Sequence, residues 1–523
     1  MGRISLSIAS LFFAFSLLSI SSISQDLTQN KQVGRFVKDE LLVKFSSGTA
    51  STKMRSANRE LGATSLESLG DLEWQRVKLP EGMSIDEAIE RYKNLEGVEA
   101  VQPNYYYHLL ATPNDPQFTS GGLYGLTKIS APLAWDLSTG SSAVVVADID
   151  TGMLYTHQDL AANTWVNPGE IPGNGVDDDG NGFVDDVNGW DFFYNDSNPI
   201  DDAGGHGTHT AGTIGAVGNN GLGVVGVNWN VKIMPIKIYS PNGSDSTSSM
   251  LVNAYNYIRM MKNRGVNIRA TNNSYGDCGE ACGYDQATKD ALDALGDAGV
   301  LQVFAAGNSN RNIDLAPFYP ASYTSPSILA VAASDSNDSR ASFSCFGAVS
   351  VDLAAPGVGI MSTYWGSNSS YATLQGTSMA TPHVTGAAAL LSAFNPSLSA
   401  ASLKASLMNN VDVVPAWTNV VKTGGRLNVL KAMQNPTVCT FSPAVNTMTV
   451  PTRGGTFAVN VTAGKNCDYS VKSNANKWLK VVSSDSMSGS GSVSFRVTVN
   501  PTITRSGTIS IGGQTFTVRQ SRN

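Results

Sequence analysis

The chain has 523 residues, 35 Lys+Arg against 42 Asp+Glu and a formal net charge of -7, and at about 150 residues per domain that is room for roughly three domains. Charged residues make up only 15% and apolar residues 41%, which excludes a disordered chain, and the acidic balance argues against a general nucleic-acid binder. Five cysteines, Cys278, Cys282, Cys345, Cys439 and Cys467, cannot all pair, and with no C-x-x-C spacing a zinc ribbon is disfavoured.

In chain order, residues 1–24 carry Arg3, an apolar run at 8–20 and small residues ending Ser22-Ile23-Ser24. This is the pattern of a secretory signal peptide and predicts export; the alternative, an uncleaved anchor, has an apolar core short for a membrane span. Residues 25–110 read as a small α+β unit. FVKDELLVKF alternates like a strand, STKMRSANRELGA reads as a helix, LEWQRVKLP and VEAVQPNYYYH as strands, and SIDEAIERYKNLEG as an amphipathic helix with Ser84 and Glu87 as a capping box.

From 111 to 436 the pattern changes. AVVVADID, VKIMPIKIY, NIRATNNS, VLQVFAAG and ILAVAAS are continuous apolar runs suited to parallel strands buried on both faces. MLVNAYNYIRMMKNRG and DQATKDALDALGDAG read as crossover helices closed by Gly. The expected fold class is α/β, a doubly wound and mostly parallel sheet with its site at the C-terminal ends of the strands. From 437 to 523 helices vanish, and short alternating strands separated by Gly, Asn and Ser turns predict an all-β sandwich.

Four stretches of the middle domain stand out: ADIDTG (147–152), GGHGTHTAG (204–212), FAAGNS (304–309) and QGTSMATPHV (375–384). Hydrolysis through a serine needs a nucleophilic hydroxyl, an imidazole to take its proton, a carboxylate to orient that imidazole, and donors for the oxyanion. Ser378, His206, Asp150 and Asn308 supply one of each. His206 and His209 could instead be a metal pair, but no third nitrogen or sulfur ligand stands nearby. Asp148 competes with Asp150, which alone stands in D-T-G.

The order Asp, His, Ser and these four motifs resemble the subtilisin-like serine proteases, over most of 111–435. The resemblance implies a secreted serine endopeptidase with Asp150 orienting the imidazole, His206 as general base and then acid, Ser378 as nucleophile, and Asn308 in the oxyanion hole. A catalytically dead relative acting as an adhesin, and an esterase or peptide ligase using the same nucleophile, are the competing readings. By resemblance, Ser274, Tyr275 and Gly276 pair with substrate as one wall of the cleft. Ala305, Ala306 and Gly307 form the facing wall of the primary pocket, and Phe318 stands at its base, implying a shallow pocket that disfavours aromatic side chains. The loop 277–284 resembles an insertion beside the cleft, pinned by Cys278 and Cys282. The unit at 25–110 resembles the inhibitor-like propeptide of the family, made as part of a self-processing zymogen and cleaved near Leu110-Ala111.

VDDDGNGFVDD (176–186) sets Asp177, Asp179, Asn181, the Phe183 carbonyl and Asp185 at the spacing of an EF-hand calcium loop. Position twelve is Asn188, with Asp186 or Asp191 as possible replacements for the missing bidentate ligand. A second calcium site is implied by resemblance alone, from Asp115, Asp159, Asn220 and the carbonyls of Val217, Leu222 and Val224, with the choice between Asn219 and Asn220 open. The tail, with Cys439, Trp478 after Cys467 and the closing GQTFTVRQS, resembles BACON-type β-sandwich modules, which are associated with extracellular enzymes and with binding of glycans or glycoproteins; a spacer or stabilising appendage is the competing reading. Charge is unevenly spread: 12 basic and 13 acidic residues in 1–110, 14 and 27 in 111–436, and 9 and 2 in 437–523. A basic tail makes an anionic glycan or cell-envelope surface a candidate partner.

Overall fold

The structure is a computed structural model that describes residues 36–105, 111–202, 204–242, 246–276, 284–500 and 503–521. The signal segment, the expected cleavage bond and the Cys278–Cys282 pair lie outside the described residues. The chain divides into two compact units, Met1–Tyr107 and His108–Asn523.

In the first unit, β1 (Phe36–Phe45), α1 (Ser51–Glu60), β2 (Thr64–Ser68), β3 (Trp74–Lys78), α2 (Ile85–Lys93) and β4 (Val98–Tyr105) follow in order. The sheet is antiparallel with order β2-β3-β1-β4. Alternation along β1 turns Leu41, Val43 and Phe45 inward, into a core shared with Ala88 and Tyr92 of α2. The expected cap is present: Ser84 Oγ accepts from the Glu87 N–H at 3.2 Å.

The second unit is built on a nine-stranded sheet: β5 (Gly140–Asp150), β6 (Trp190–Asp191), β7 (Asn230–Lys237), β8 (Ile268–Asn273), β9 (Leu301–Ala305), β10 (Ile328–Ser334), β11 (Leu353–Pro356), β14 (Asp412–Val413) and β15 (Gly425–Arg426). Its order is β14-β15-β11-β10-β9-β8-β5-β7-β6. All pairs are parallel except β14 with β15. Strands β9 and β10 are buried at every residue, as continuous apolar runs require when both faces are covered. The helices Ser248–Asn263 and Gln286–Asp297 carry crossovers, and the latter is capped by Asp285, whose carboxylate accepts from the Ala287 and Thr288 N–H groups. On the other face the helix Thr377–Phe394 is buried almost throughout. The hairpin β12 (Ile360–Tyr364) and β13 (Ser370–Leu374) stands outside this sheet. Beyond β5, sequential strands run outward in two directions, β7 on one side and β8 on the other, so the gap between the ends of β5 and β8 is the topological switch point.

The C-terminal module is a two-layer sandwich of β16 (Ser442–Pro443), β17 (Thr447–Val450), β18 (Gly455–Thr462), β19 (Asp468–Ser473), β20 (Leu479–Val481), β21 (Ser486–Ser488), β22 (Gly491–Val497), β23 (Arg505–Ile511) and β24 (Gln514–Gln520). Its sheets have orders β16-β18-β22-β20 and β17-β24-β23-β19-β21. Inward residues Val459, Val493, Phe495, Ile509, Phe516 and Val518 form its core, and a Cys439–Cys467 disulfide ties the segment before β16 to the loop before β19. The module is docked on the α/β domain. Lys404, on the helix Ala400–Asn409, pairs with Asp468 at 2.7 Å, both buried. Lys472 pairs with Asp297, and Cys439 N–H donates to Ser402 Oγ at 3.0 Å.

Candidate active site

Asp150 ends β5 at the switch point, and His206 opens the helix His206–Gly215. Gly204 and Gly205 precede it with φ of 90° and 82°, a left-handed turn glycine adopts at little cost. At Gly205 a Cβ would also lie 2.5 Å from Trp365. The turn aims the ring at β5: His206 Nδ1 lies 2.7 Å from Asp150 Oδ1, which also accepts from the Thr151 N–H at 2.7 Å. Burial lowers the His206 pKa, but attraction by Asp150 and the hydrogen bond the ring donates to it, with Asp148 and Asp201 beyond, outweigh it and raise it to about 9. Asp148 is a support. It accepts from Asn272 Nδ2 and Thr210 Oγ1, both at 2.9 Å, and burial beside Asp150 holds its carboxyl well above the usual range. His209 is a packing residue: Nε2 lies 2.9 Å from the Ile360 carbonyl and burial pulls its pKa to about 4.

Ser378 lies in the first turn of the helix Thr377–Phe394, where unpaired N–H groups favour negative charge. Its Oγ donates to the Ser274 carbonyl at 3.1 Å, while Ser274 Oγ returns a bond to the Ser378 carbonyl at 2.9 Å. Asn308 uses its Oδ1 to accept from the Thr377 N–H at 2.8 Å and Thr377 Oγ1 at 2.9 Å. That leaves Nδ2 as a free donor beside the serine. A Cβ built on Gly376 would lie 3.5 Å from both Asn308 Nδ2 and Ser378 N, so the two nitrogens stand close together beside that glycine.

Next to them opens a cleft of ≈ 260 Å³ lined by Ser274, Tyr275, Gly276, Ala305, Gly307 and Phe318 among others. Ala306 is the exception among the expected wall residues. It follows β9 and is fully buried in the core behind the sheet, because alternation turns it away from the cleft. The Phe318 ring is wedged between the two walls: a Cβ on Gly276 would come within 2.4 Å of it and one on Gly307 within 2.8 Å.

Two supports escaped sequence reasoning. Asp201 accepts from Thr208 N–H and Oγ1 at 3.0 and 2.7 Å and from Thr151 Oγ1 at 3.2 Å, tying the histidine helix to the loop after Asp150. Thr377, besides anchoring Asn308, accepts from the Gly307 N–H at 3.2 Å.

The residues expected to hold metal fall in two places. Asp115 and Asp159 are both fully buried. Asp115 Oδ2 accepts from the Asn219 N–H at 2.7 Å, and its Oδ1 is buried without a partner. Burial, then the neighbouring Asp159 charge, raises the Asp115 pKa against the pull of backbone bonds from Asn219 and Asn220. Asn220 Nδ2 reaches Asp159 Oδ1 at 2.9 Å, whereas Asn219 Oδ1 serves Asn114, so of the two side chains it is that of Asn220 that meets a carboxylate. The amides of Val217, Leu222 and Val224 bond to the Asp159 carbonyl, Asn220 Oδ1 and Asp159 Oδ2.

In the 176–186 loop, oxygens of Asp177 and Asp179 gather within 4.8 Å of Glu170, a residue the forward spacing did not reach. Asp185 is turned out of this group, accepting from the Asn174 and Gly175 N–H groups at a φ of 55°. Asn181 donates to Asp179 and Asp186, and the Phe183 ring packs on Trp190 and Tyr257. Neither replacement for position twelve joins the cluster. Asp186 is buried on Tyr257, Asn167 and Asn181, and Asp191 accepts from Phe193 and Tyr194 N–H groups. Asn188 donates to the Trp165 carbonyl.

An α/β sheet with Asp150 and His206 paired at its switch point and Ser378 lining a cleft is an arrangement found in serine endopeptidases. The description "Subtilase family" matches residues 141–464, and "Fervidolysin N-terminal prodomain" matches 23–104. Thermitase of Thermoactinomyces vulgaris is 38% identical over 323 residues, 62% of this chain and 99% of its own. A thermophilic serine proteinase of Bacillus sp. (strain AK1) is 33% identical over 70% of this chain and 80% of its own. Subtilisin Savinase of Lederbergia lenta is 37% identical over 58% and 95%. A crystal structure of a cold adapted subtilisin-like serine proteinase aligns at 30% identity and a TM-score of 0.41, covering 55% of this chain and 88% of that one. The chain belongs to the subtilase family, a serine protease carrying an N-terminal prodomain and an additional C-terminal β-rich domain. No helix among the described residues is long and apolar enough to cross a membrane.

Proposed function

We propose that this chain is a secreted, calcium-stabilised endopeptidase made as a zymogen, with Asp150, His206 and Ser378 as its catalytic triad and Asn308 in its oxyanion hole. The observation that carries it is the proximity of Asn308 Nδ2 and Ser378 N, each 3.5 Å from the position of a Gly376 Cβ, with His206 held on Asp150 at 2.7 Å. Ser378 Oγ leaves the Ser274 carbonyl and attacks the scissile carbonyl carbon as His206 Nε2 takes its proton. The oxyanion settles between Asn308 Nδ2 and Ser378 N. His206 then passes the proton to the leaving amine, and water repeats the sequence to release the acid. Asp150 holds the ring in the tautomer with Nδ1–H and stabilises the imidazolium.

Substrate lies along Ser274 to Gly276 as an added strand, and Phe318 limits the primary pocket to small and medium side chains. Cleavage before Ala111 releases the prodomain. The Ala111 nitrogen lies 2.8 Å from Asp136 Oδ1, so the new ammonium group would meet a carboxylate. Calcium fits Asp115 and Asp159, where a cation would satisfy the orphaned Oδ1 and relieve two buried like charges. It also fits Glu170, Asp177 and Asp179. When bound it supplies no chemistry to the reaction and cross-links loops. The basic C-terminal module binds an anionic glycan or envelope surface.

Casein zymography of the full chain and of Ser378→Ala tests the reading. Clearing by the wild type and none by Ser378→Ala is expected; clearing that survives Ser378→Ala overturns it.

A further inference from the structure

The C-terminal module has two acidic residues, Asp468 and Asp485, against nine basic ones. Both acids face the protease domain, Asp468 on Lys404 at 2.7 Å and Asp485 within 3.9 Å of Lys289. Contacts to the protease domain come from β19, β21 and the segments around Cys439 and Lys465. The opposite layer, β16-β18-β22-β20, turns Thr456, Asn460, Ser492, Arg496 and Lys480 outward. Lys480 and Arg496 stand directly opposite each other in the β20–β22 register and are both exposed. Like charges in that position repel, and neither has an acidic partner among the described residues. Lys477 is exposed just before β20.

We propose that this outer face, centred on Lys480 and Arg496, is the docking surface for an acidic polysaccharide. The proposal rests on the reading that the module binds anionic polymers and adds where and through which chemistry. Cations meet carboxylate or sulfate groups, and the Ser, Thr and Asn side chains around them hydrogen-bond sugar hydroxyls. Neutral sugars and nucleic-acid bases are recognised by stacking on exposed aromatics. The module's exposed large apolar residues are all aliphatic (Val438, Val445, Val482, Val499 and Ile503). Its one tryptophan, Trp478, is half-buried with the Arg505 guanidinium 4.3 Å over its ring. Scattered valines are likewise a poor anchor for a membrane.

The test uses the full chain with Ser378→Ala, measured against immobilised polygalacturonate and dextran sulfate at low and high salt. Arms with double-stranded DNA, anionic phospholipid vesicles and neutral dextran run alongside. Wild-type retention on the acidic polysaccharides that falls with salt is expected. Lys480→Gln with Arg496→Gln should weaken it at least tenfold, while Lys465→Gln with Arg519→Gln, removing equal charge elsewhere, should change it less than threefold. Equal melting temperatures establish that both pairs fold. If wild type binds and both pairs weaken it equally, the face is wrong and polyanion binding stands. No retention over neutral dextran defeats both, and tighter binding to DNA or vesicles overturns the polysaccharide assignment.

Discussion

Replacing Thr377 by Val leaves Asn308 in place but removes one of the two bonds that aim it. Asn308 Oδ1 is anchored by the Thr377 N–H at 2.8 Å and Thr377 Oγ1 at 2.9 Å; only the second is lost. A neutral hydrogen bond contributes about 0.5–1.5 kcal/mol, so kcat should fall about 2- to 10-fold with KM unchanged, since the donor acts on the oxyanion and not on bound substrate. Removing the donor itself, in Asn308→Ala, should cost about 100- to 1000-fold. The two effects are one effect: once Asn308 is gone, Thr377→Val should change kcat no further. Thr377→Ser keeps the hydroxyl and should behave as wild type. Thr377→Val also strands the buried Gly307 N–H, at about 1–3 kcal/mol of stability, which melting of the Ser378→Ala form reads separately. The assay is kcat and KM on a chromogenic peptide for the four members of the cycle. Equal losses from Thr377→Val with and without Asn308, or a loss confined to KM, would refute the aiming role.

Because His206 is raised to about 9, its neutral form appears only as pH climbs, and the acid limb of kcat/KM should lie above 6.5; a midpoint at or below 6.5 counts against the Asp150 field. Asp115→Asn should change sign with calcium: it relieves repulsion from Asp159 in chelator, so melting holds or rises, and lowers melting when calcium is present. At calcium one hundred times its Kd the wild type gains about 2.7 kcal/mol; a variant equally unstable in both conditions rejects the site. Phe318→Ala should raise kcat/KM for substrates with Phe or Tyr before the scissile bond relative to Ala, read on a matched peptide pair; an unchanged ratio means the ring does not set the pocket floor. Asp468→Ala leaves Lys404 buried and unpaired and should destabilise by about 3–5 kcal/mol, while Lys404→Met with Asp468→Leu should be near neutral. Asp468 is held below its usual range by Lys404 against the effect of burial. The stability from this carboxylate is therefore present above the unfolded value near 3.8 and lost only as pH falls through the lower folded value. Denaturant melts of the Ser378→Ala form decide, and a cost under about 1 kcal/mol for Asp468→Ala rejects the buried pair.

Much of this was legible because it is local. Five apolar runs mark β5, β7, β8, β9 and β10, and Ser84 announces the helix that begins at the next residue, with Glu87 three positions on. What escaped acts by folding back. A cap is sought immediately before a helix, but Asp201 lies five residues upstream of His206 and reaches Thr208 only because Gly204 and Gly205 reverse the chain. Glu170 precedes Asp177 by seven residues and comes beside it through a turn that no forward count of loop positions finds. Short strands such as β14 and β15, two residues each, carry no periodicity to read. The charge count located a basic module, but not that both of its acids lie at the junction.

The aromatic wedge between Gly276 and Gly307 also constrains how specificity can evolve. Both glycines are locked while Phe318 is present, since any side chain there would collide with its ring. A descendant with a deeper pocket must first change position 318. Only afterwards could 307 accept a side chain, and then against a positive φ of 104°, whereas 276 stays closed by the Tyr319 carbonyl, 2.9 Å from where its Cβ would stand. If the ring is the pocket floor, as proposed, the route to a deeper pocket begins at position 318 and reaches 307 only in second place.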